Sequence, residues 1–193
     1  MRMFVAVRPP LDVVGELEEF LESRPEMAWT RSENWHLTLA FMQRVPEHRI
    51  DDLIERLGRA ATRVEPFVAR LGGAGAFPDP SRAAVLWLGV NHEAREPLGR
   101  LARGARAAGN RIGAPADGKA FKAHLTLARL RTREDATRWL RVLDTFYSSS
   151  WEVGEIELVE SFLGEGPGRT ARHEVAARLP LGRSAHARIP EQG

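Results

Sequence analysis

A repeated tetrapeptide holds the residues of this chain that are best suited to chemistry. His-Leu-Thr-Leu occurs at His36–Leu39 and again at His124–Leu127, 88 positions apart (124 − 36) in a chain of 193 residues. Because a strand alternates its side chains between two faces, each copy presents an imidazole and a hydroxyl on one face and two leucines on the other. Two such strands side by side would place two imidazoles and two hydroxyls around one space.

This set of groups is suited to opening a cyclic phosphodiester. An unperturbed imidazole has a pKa of about 6.5, so it can give or take a proton near neutrality. One imidazole can activate water as a base while the other protonates the leaving oxygen, without a metal. The hydroxyls of Thr38 and Thr126 can donate hydrogen bonds to the non-bridging oxygens, on which charge develops.

Residues next to the motifs are weaker candidates. Arg129 is a candidate phosphate ligand, although strict alternation points it away from His124 unless the strand ends or twists there. Phe41 has the parity of the leucines, which predicts a core position. Phe121 could stack a nucleobase and Lys122 could contact an RNA backbone, although a core phenylalanine and a solvated lysine are the commoner outcomes.

The remaining histidines and the composition exclude several other classes of site. His48, His92, His173 and His186 lack a comparable context, and the chain has no cysteine. Zinc needs three or four ligands, and neither motif has a further ligand at a suitable spacing, so we predict no metal. There is no Walker loop, dinucleotide glycine fingerprint or nucleophile elbow.

Composition describes an ordinary globular chain. The net charge is +2, with 43% hydrophobic and 28% charged residues. No run of eighteen apolar residues is present and the N-terminus is typical of a strand, so we expect no membrane span and a cytoplasmic protein. Lys119 and Lys122 are the only lysines among 28 basic residues, which fits a GC-rich genome and also phosphate binding by arginine.

Periodicity predicts an α+β protein of two similar halves, each with the order motif strand, helix and two further strands. We predict strands at Met3–Val7, within 29–41, at Phe67–Leu71, Ala83–Val90, Phe121–Leu130, Val153–Phe162 and Glu174–Leu179, and helices at Leu11–Leu21, 47–61, Ala94–Ala108 and Arg133–Phe146. Gly72–Pro80 is predicted to be a connector. We expect one bilobal domain over residues 1–182 and a disordered polar tail over 183–193.

With these residues in place, the chain resembles the 2H phosphoesterase superfamily, and within it the RNA 2′,3′-cyclic phosphodiesterases, historically called 2′-5′ RNA ligases. The resemblance extends over nearly the whole chain and is most specific at 34–41 and 119–129. The chain departs from the family pattern at Ala123, where proline is frequent, at Met42-Gln43, where Leu-Gly is frequent, and at His173, near the place of a common tyrosine.

The resemblance implies a bilobal fold in which two antiparallel sheets form a V-shaped cleft, with helices outside. It implies that His36 and His124 are the catalytic pair, that Thr38 and Thr126 bind phosphate, and that Arg129 assists. It also implies cleavage of RNA 2′,3′-cyclic phosphate ends, tRNA fragments included, to leave a 2′-phosphate, with no cofactor; we expect a monomer. We assign His36 as the acid and His124 as the base, although the near symmetry of the motifs permits the reverse.

Two other functions use the same residues. The cleft could act on another ester, by reversible 2′-5′ RNA ligation or by opening a small cyclic nucleotide. The chain could also be a non-catalytic module that binds RNA ends. The two intact His/Thr pairs argue against the last of these, because binding alone does not require two titrating groups.

Overall fold

The strands of both halves of the chain join into one antiparallel sheet. The structure, a computed structural model, describes residues 1–118, 120–166 and 170–183. Its strands are β1 (Met3–Val7), β2 (Leu37–Met42), β3 (Phe67–Ala69), β4 (Leu71–Phe77), β5 (Ala83–Val90), β6 (Leu125–Glu134), β7 (Trp151–Val153), β8 (Glu155–Phe162) and β9 (Arg172–Pro180). Its helices are α1 (Leu11–Glu22), α2 (Ile50–Ala61), α3 (His92–Arg111) and α4 (Thr137–Leu143).

The seven-stranded sheet consists of two lobes that meet at the motif strands. Its order is β4-β5-β6-β2-β1-β8-β9, so β4, β5 and β6 form one lobe and β2, β1, β8 and β9 form the other. The two lobes are joined where β6 lies beside β2, through the single residue pair Leu37 and Leu125. The α+β class is as predicted. The two antiparallel sheets that the resemblance implies are joined into one sheet through this single residue pair.

The two halves of the chain exchange strands. Strand β1 pairs with β2 on one side and with the distant β8 on the other, whereas β5 pairs with β6 and with the earlier β4. The short strands β3 and β7, one from each half, pair with each other in a second sheet. Each lobe therefore contains strands from both halves of the sequence.

One face of the large sheet carries the main hydrophobic core. Met3, Val5 and Val7 of β1 are buried in this core together with buried residues of all four helices, such as Leu17, Leu53, Leu98, Leu101 and Leu143. The opposite face of β1 carries a smaller buried cluster of Phe4, Ala6 and Val159, against which Phe41 packs. The helices thus cover one face and leave the other face of the motif strands available.

Two segments differ from the sequence-based prediction in the type of element, and the strand predicted over Phe121–Leu130 begins only at Leu125. Most of the segment Gly72–Pro80, predicted to be a connector, belongs to strand β4. This strand lacks the β-branched residues that usually indicate a strand. It has glycine where the Trp87 ring lies against it, since a Cβ on Gly75 would lie 2.0 Å from Cζ2 of Trp87. The helix predicted over Arg133–Phe146 is wrong at its start, since β6 continues to Glu134 and α4 begins at Thr137, whose N–H donates to the Asp135 carboxylate.

Beyond Arg183, the predicted tail lies outside the described residues. No helix within the described ranges is both long and apolar enough to cross a bilayer.

Candidate active site

The two motif histidines lie at the junction of the lobes. His36 immediately precedes β2 and His124 immediately precedes β6, and Leu37 pairs with Leu125 in the antiparallel register. In an antiparallel pair, the residue before Leu37 lies opposite the residue after Leu125, and the residue after Leu37 lies opposite the residue before Leu125. His36 therefore lies opposite Thr126, and His124 lies opposite Thr38. Each imidazole is therefore set opposite the hydroxyl of the other motif, as in a local two-fold arrangement.

The alternation predicted for the motifs holds over the tetrapeptides. Leu37, Leu39, Leu125 and Leu127 are buried in the main core. His36, Thr38, His124 and Thr126 are only partly buried and lie on the other side of their strands. The leucines anchor the strands to the helix layer, and this fixes the direction of the polar side chains.

After the tetrapeptides, a β-bulge in each motif strand reverses the alternation. Thr38 lies opposite Ala6, but Ala40 lies opposite Val5, so Leu39 is the extra residue. Leu127 is the corresponding extra residue of β6, between Thr126 opposite Trp87 and Ala128 opposite Leu86. The residue two positions after each bulged leucine therefore returns to the polar face.

The bulges bring Phe41 and Arg129 to the candidate site. Phe41 packs against the small hydrophobic cluster around Phe4, so it has a core contact as predicted, but on the face opposite to the one that strict alternation gives. Arg129 shares the face of Thr126, and its charge is close enough to lower the pKa of both His36 and His124. The inserted residue Leu127, and not an early strand end, turns Arg129 to this face.

Each imidazole packs against two rings. His36 stacks on Phe4, with ring centroids 4.6 Å apart and planes 23° apart, and meets His173 edge-on at 5.6 Å. His124 meets Phe77 edge-on at 4.9 Å and lies 5.9 Å from Trp87. Such ring pairs contribute about 0.5–1.5 kcal/mol beyond area burial, and they restrict the orientations open to each imidazole.

Burial is the main electrostatic influence on both histidines. It lowers the pKa of His36 to about 3, with smaller contributions in the same direction from His173, Arg8 and Arg129, while the Asn34 backbone partly opposes them. Burial also lowers the pKa of His124, opposed by the Lys122 backbone and assisted by the charges of Arg129 and Lys122. Burial therefore favours the neutral form of both imidazoles, and the effect is large at His36.

A hydrogen bond defines the tautomer of His124. Its Nδ1 lies 2.7 Å from the Lys122 carbonyl oxygen, which can only accept, so Nδ1 carries the proton and the neutral ring keeps Nε2 as an acceptor. At His36 the Asn34 backbone has the corresponding effect on the pKa, although Nδ1 of this imidazole makes no hydrogen bond of normal distance and angle to a described residue. The two imidazoles thus differ mainly in burial.

The other two candidates from the sequence have different surroundings. The Nζ atom of Lys122 lies 4.7 Å from the Trp87 ring centroid, which places this lysine beside the rings that pack on His124. Phe121 is partly buried and packs against the main core, which the sequence favours over stacking on a nucleobase. The aromatic side chains beside the histidines are instead Phe4, Phe77 and Trp87.

His173 was missed by the sequence reasoning. It lies on β9 opposite Ser161, and its ring lies 5.0 Å from Phe4. Local sequence gives little indication of this position, because it depends on β9 pairing with β8 and on β8 pairing with β1. Its place near a tyrosine of the family pattern was the one available signal.

A metal at this site would need further ligands beside the two histidines. In the ranges that the structure describes, no group of three or more histidine and carboxylate side chains is arranged to hold a metal ion. Of the histidine neighbours named above, Phe4, Phe77 and Trp87 provide no ligand atoms suited to zinc. What the arrangement offers is a pair of proton-transferring groups with hydroxyl and guanidinium donors beside them.

Taken together, the structure is a bilobal sheet in which one His/Thr pair lies at the start of each central strand, an arrangement typical of the two-histidine phosphoesterase class. Comparison with known proteins agrees with this class: the family model described as the 2′-5′ RNA ligase superfamily matches residues 9–164. The chain belongs to the 2′-5′ RNA ligase superfamily.

Individual relatives match over most of their length. An RNA 2′,3′-cyclic phosphodiesterase of Thermus thermophilus is 34% identical over 194 residues, covering 95% of this chain and 93% of the relative. One of Archaeoglobus fulgidus is 30% identical over 167 residues, covering 84% and 92%. The crystal structure of E. coli LigT complexed with 3′-AMP has 26% identity and a TM-score of 0.75, covering 93% of this chain and 97% of LigT.

Proposed function

We propose that this protein hydrolyses RNA 2′,3′-cyclic phosphate ends to 2′-phosphates by two-histidine acid/base catalysis. The observation that carries the proposal is the cross-facing of His36 with Thr126 and of His124 with Thr38, with the charge of Arg129 close to both imidazoles. The names of the relatives at 30% and 34% identity support the choice of ester. The partner is then an RNA end, tRNA fragments included, and we expect a monomer acting in the cytoplasm.

The reaction needs one proton removed and one supplied. The basic imidazole takes a proton from water as the water oxygen attacks phosphorus. The bond between phosphorus and the 3′-oxygen breaks, and the acidic imidazole protonates that oxygen. The phosphate stays on the 2′-oxygen, and the two imidazoles have exchanged protonation states.

The donors around the histidines stabilise the transition state. Negative charge grows on the non-bridging oxygens, which the hydroxyls of Thr38 and Thr126 can reach from the two motif strands as hydrogen-bond donors. The Arg129 guanidinium adds a fixed positive charge on the same face. Donors that are already oriented lower the barrier because they need no rearrangement as charge develops.

The pKa directions bear on which histidine is the acid. Burial, the largest of several influences, lowers the pKa of His36 to about 3, so the charged form of this imidazole is strongly disfavoured. His124 is less buried, and its Nδ1 donates to a carbonyl oxygen that favours the charged ring. These two facts favour His124 as the acid and His36 as the base, the reverse of the assignment made from the sequence.

Histidine substitutions test the proposed function. We expect His36→Ala and His124→Ala each to lower turnover of a 2′,3′-cyclic mononucleotide and of an RNA with the same end by about 10²–10⁴, the usual effect of one acid or base. The double variant should lose far less than the product of the two effects, because the groups act as a unit. His48→Ala, at an exposed histidine, is the matched control.

Two measurements guard against misreading this experiment. Far-UV circular dichroism and urea unfolding separate lost catalysis from lost folding, and His36→Gln offers a second variant that fills more of the space beside Phe4. Near wild-type turnover in either single variant that is folded would refute the assignment. Binding of the RNA end without any turnover by the wild-type protein would instead favour the non-catalytic function.

A further inference from the structure

The cleft is chemically different at its two ends. Beside His124 lie the Phe77 and Trp87 rings, with Phe77 in edge contact with the imidazole. Beside His36, the ring in edge contact is His173, a side chain with hydrogen-bonding nitrogens. Phe77 makes the same kind of edge contact with His124 that His173 makes with His36. An apolar ring can therefore fill such a position, and packing alone does not require an imidazole beside His36.

Arg2 lies next to His173 on the same face. The Arg2 backbone carbonyl accepts a hydrogen bond from the Ser161 N–H, and Ser161 lies opposite His173 across β8 and β9. The Arg2 guanidinium carbon lies 4.6 Å from the centroid of the Phe41 ring. Its charge is close enough to His173 to contribute to the lowered pKa of that imidazole, after burial and Arg8.

Most arginines of this lobe are already neutralised by carboxylates. Arg8 and Arg178 share the buried Glu157, with Nε–O distances of 3.0 and 3.3 Å, and Arg172 pairs with Glu165 and Glu174. Arg2 has no carboxylate partner in the part of the chain that the structure describes. Its charge is therefore available to an external anion.

Two nitrogen atoms in this patch lack partners. Nε of Arg2 and Nδ1 of His173 are buried and make no hydrogen bond to described residues. Since a buried atom is closed to an external ligand, the ligand would contact the other nitrogens of these side chains, the Nη atoms of Arg2 and Nε2 of His173, none of which is among the buried unpartnered atoms. The neighbouring positive charges select an anion, and the fork geometry of arginine suits a phosphate.

We propose that Arg2 and His173 form a second phosphate subsite, which binds the phosphate on the 5′ side of the terminal nucleotide. This inference rests on the proposed function and adds a substrate class to it: the enzyme prefers an end that carries a 5′-phosphate or a phosphodiester over a bare cyclic mononucleoside. The edge contact between His173 and His36 places this subsite beside the reacting phosphate and not across the cleft from it. An RNA end would then lie with its backbone toward β8 and β9.

The test compares three substrates with one reacting group. These are a nucleoside 2′,3′-cyclic phosphate, the same compound with a 5′-phosphate, and a dinucleotide ending in the cyclic phosphate. In the wild-type protein we expect kcat/KM to rise by about three- to tenfold on adding the 5′-phosphate. This is the range between the effect of an exposed ion pair and the effect of a hydrogen bond to a charged group. The dinucleotide should show a similar gain.

Variants then locate the gain. Arg2→Gln and His173→Phe should each bring the ratio of the phosphorylated to the bare substrate toward one, while Arg2→Lys should keep part of the gain. The ratio is the readout because His173 also touches His36, and an effect on the chemical step cancels in it. Arg59→Gln, which removes the same charge from an exposed ion pair on α2, should keep the wild-type ratio.

The outcomes separate this inference from the proposed function. A wild-type ratio of one, or a ratio that survives in both Arg2→Gln and His173→Phe, would overturn the subsite. A gain for the dinucleotide without a gain for the 5′-phosphate would show that the upstream nucleoside is recognised instead, which also overturns it. Failure to hydrolyse any of the three substrates would refute the proposed function itself.

Discussion

Stability at mildly acid pH should depend on His36. The pKa of this imidazole is lowered to about 3 in the folded protein, mainly by burial, against about 6.5 in an unfolded chain. The unfolded state therefore binds a proton that the folded state does not, so stability is full above pH 6.5 and falls as the pH drops toward 3. By pH 5 the loss attributable to this one group is about 2 kcal/mol.

This magnitude is insensitive to the depth of the pKa shift. At pH 5 the folded form is neutral for any pKa below about 4, so the loss is set by the value in the unfolded chain. We will compare how far the free energy of unfolding in urea falls from pH 7.5 to pH 5 in the two proteins. We expect this fall to be about 2 kcal/mol smaller in His36→Gln than in the wild-type protein. His124 and His173, whose pKa values are lowered in the same direction, are present in both proteins and cancel in the comparison.

A control and an independent probe accompany this measurement. His48→Gln replaces an exposed histidine and should show the same pH dependence as the wild-type protein. The ring proton resonances of His36, followed by NMR, should show no titration between pH 7.5 and pH 5. Equal pH dependence in His36→Gln and wild type, or a His36 midpoint near 6.5, would refute the assignment of a buried neutral imidazole.

Three further results are expected. Hydrolysis of a 2′,3′-cyclic mononucleotide should persist in excess chelator, and loss of activity that zinc or manganese restores would contradict the two-histidine mechanism. Gly75→Ala should lower the urea unfolding free energy by about 1–3 kcal/mol, because its Cβ would lie 2.0 Å from the Trp87 ring, whereas Gly15→Ala, with no atom within 4 Å, should not destabilise. A substrate with a 3′-thio leaving group, which needs little protonation, should rescue turnover of His124→Ala and not of His36→Ala; the opposite rescue restores the assignment made from the sequence.

The motif residues could be predicted because their pattern is local. Alternation over four residues is enough to place an imidazole and a hydroxyl on one face, and the buried leucines of both motifs follow it. The bulges at Leu39 and Leu127 could not be predicted this way, since an extra residue depends on the neighbouring strand. That is why the positions of Phe41 and Arg129 differ from strict alternation.

Residues that depend on long-range pairing were the hardest to predict. His173 reaches the site only through the sequence of pairs β9 to β8 and β8 to β1, which no local pattern contains. The glycines of strand β4 predict a connector, because they carry no side chains that indicate a strand. The strand is held in the sheet by its neighbour, where Gly75 pairs with Trp87. Both cases show tertiary contacts overriding local propensity.

The exchange of strands between the halves has a consequence during protein synthesis. Strand β1 is translated well before its partner β8, because the described strands β2 to β7 lie between them in the sequence. Pairings between such distant segments form slowly, and until β8 arrives β1 presents an open edge. A nascent or truncated chain that ends before β8 already contains both histidine motifs, yet it lacks β9 and therefore His173 as well as the strand that backs Phe4. Assembly of the site around His36 thus waits until β8 and β9 have been translated.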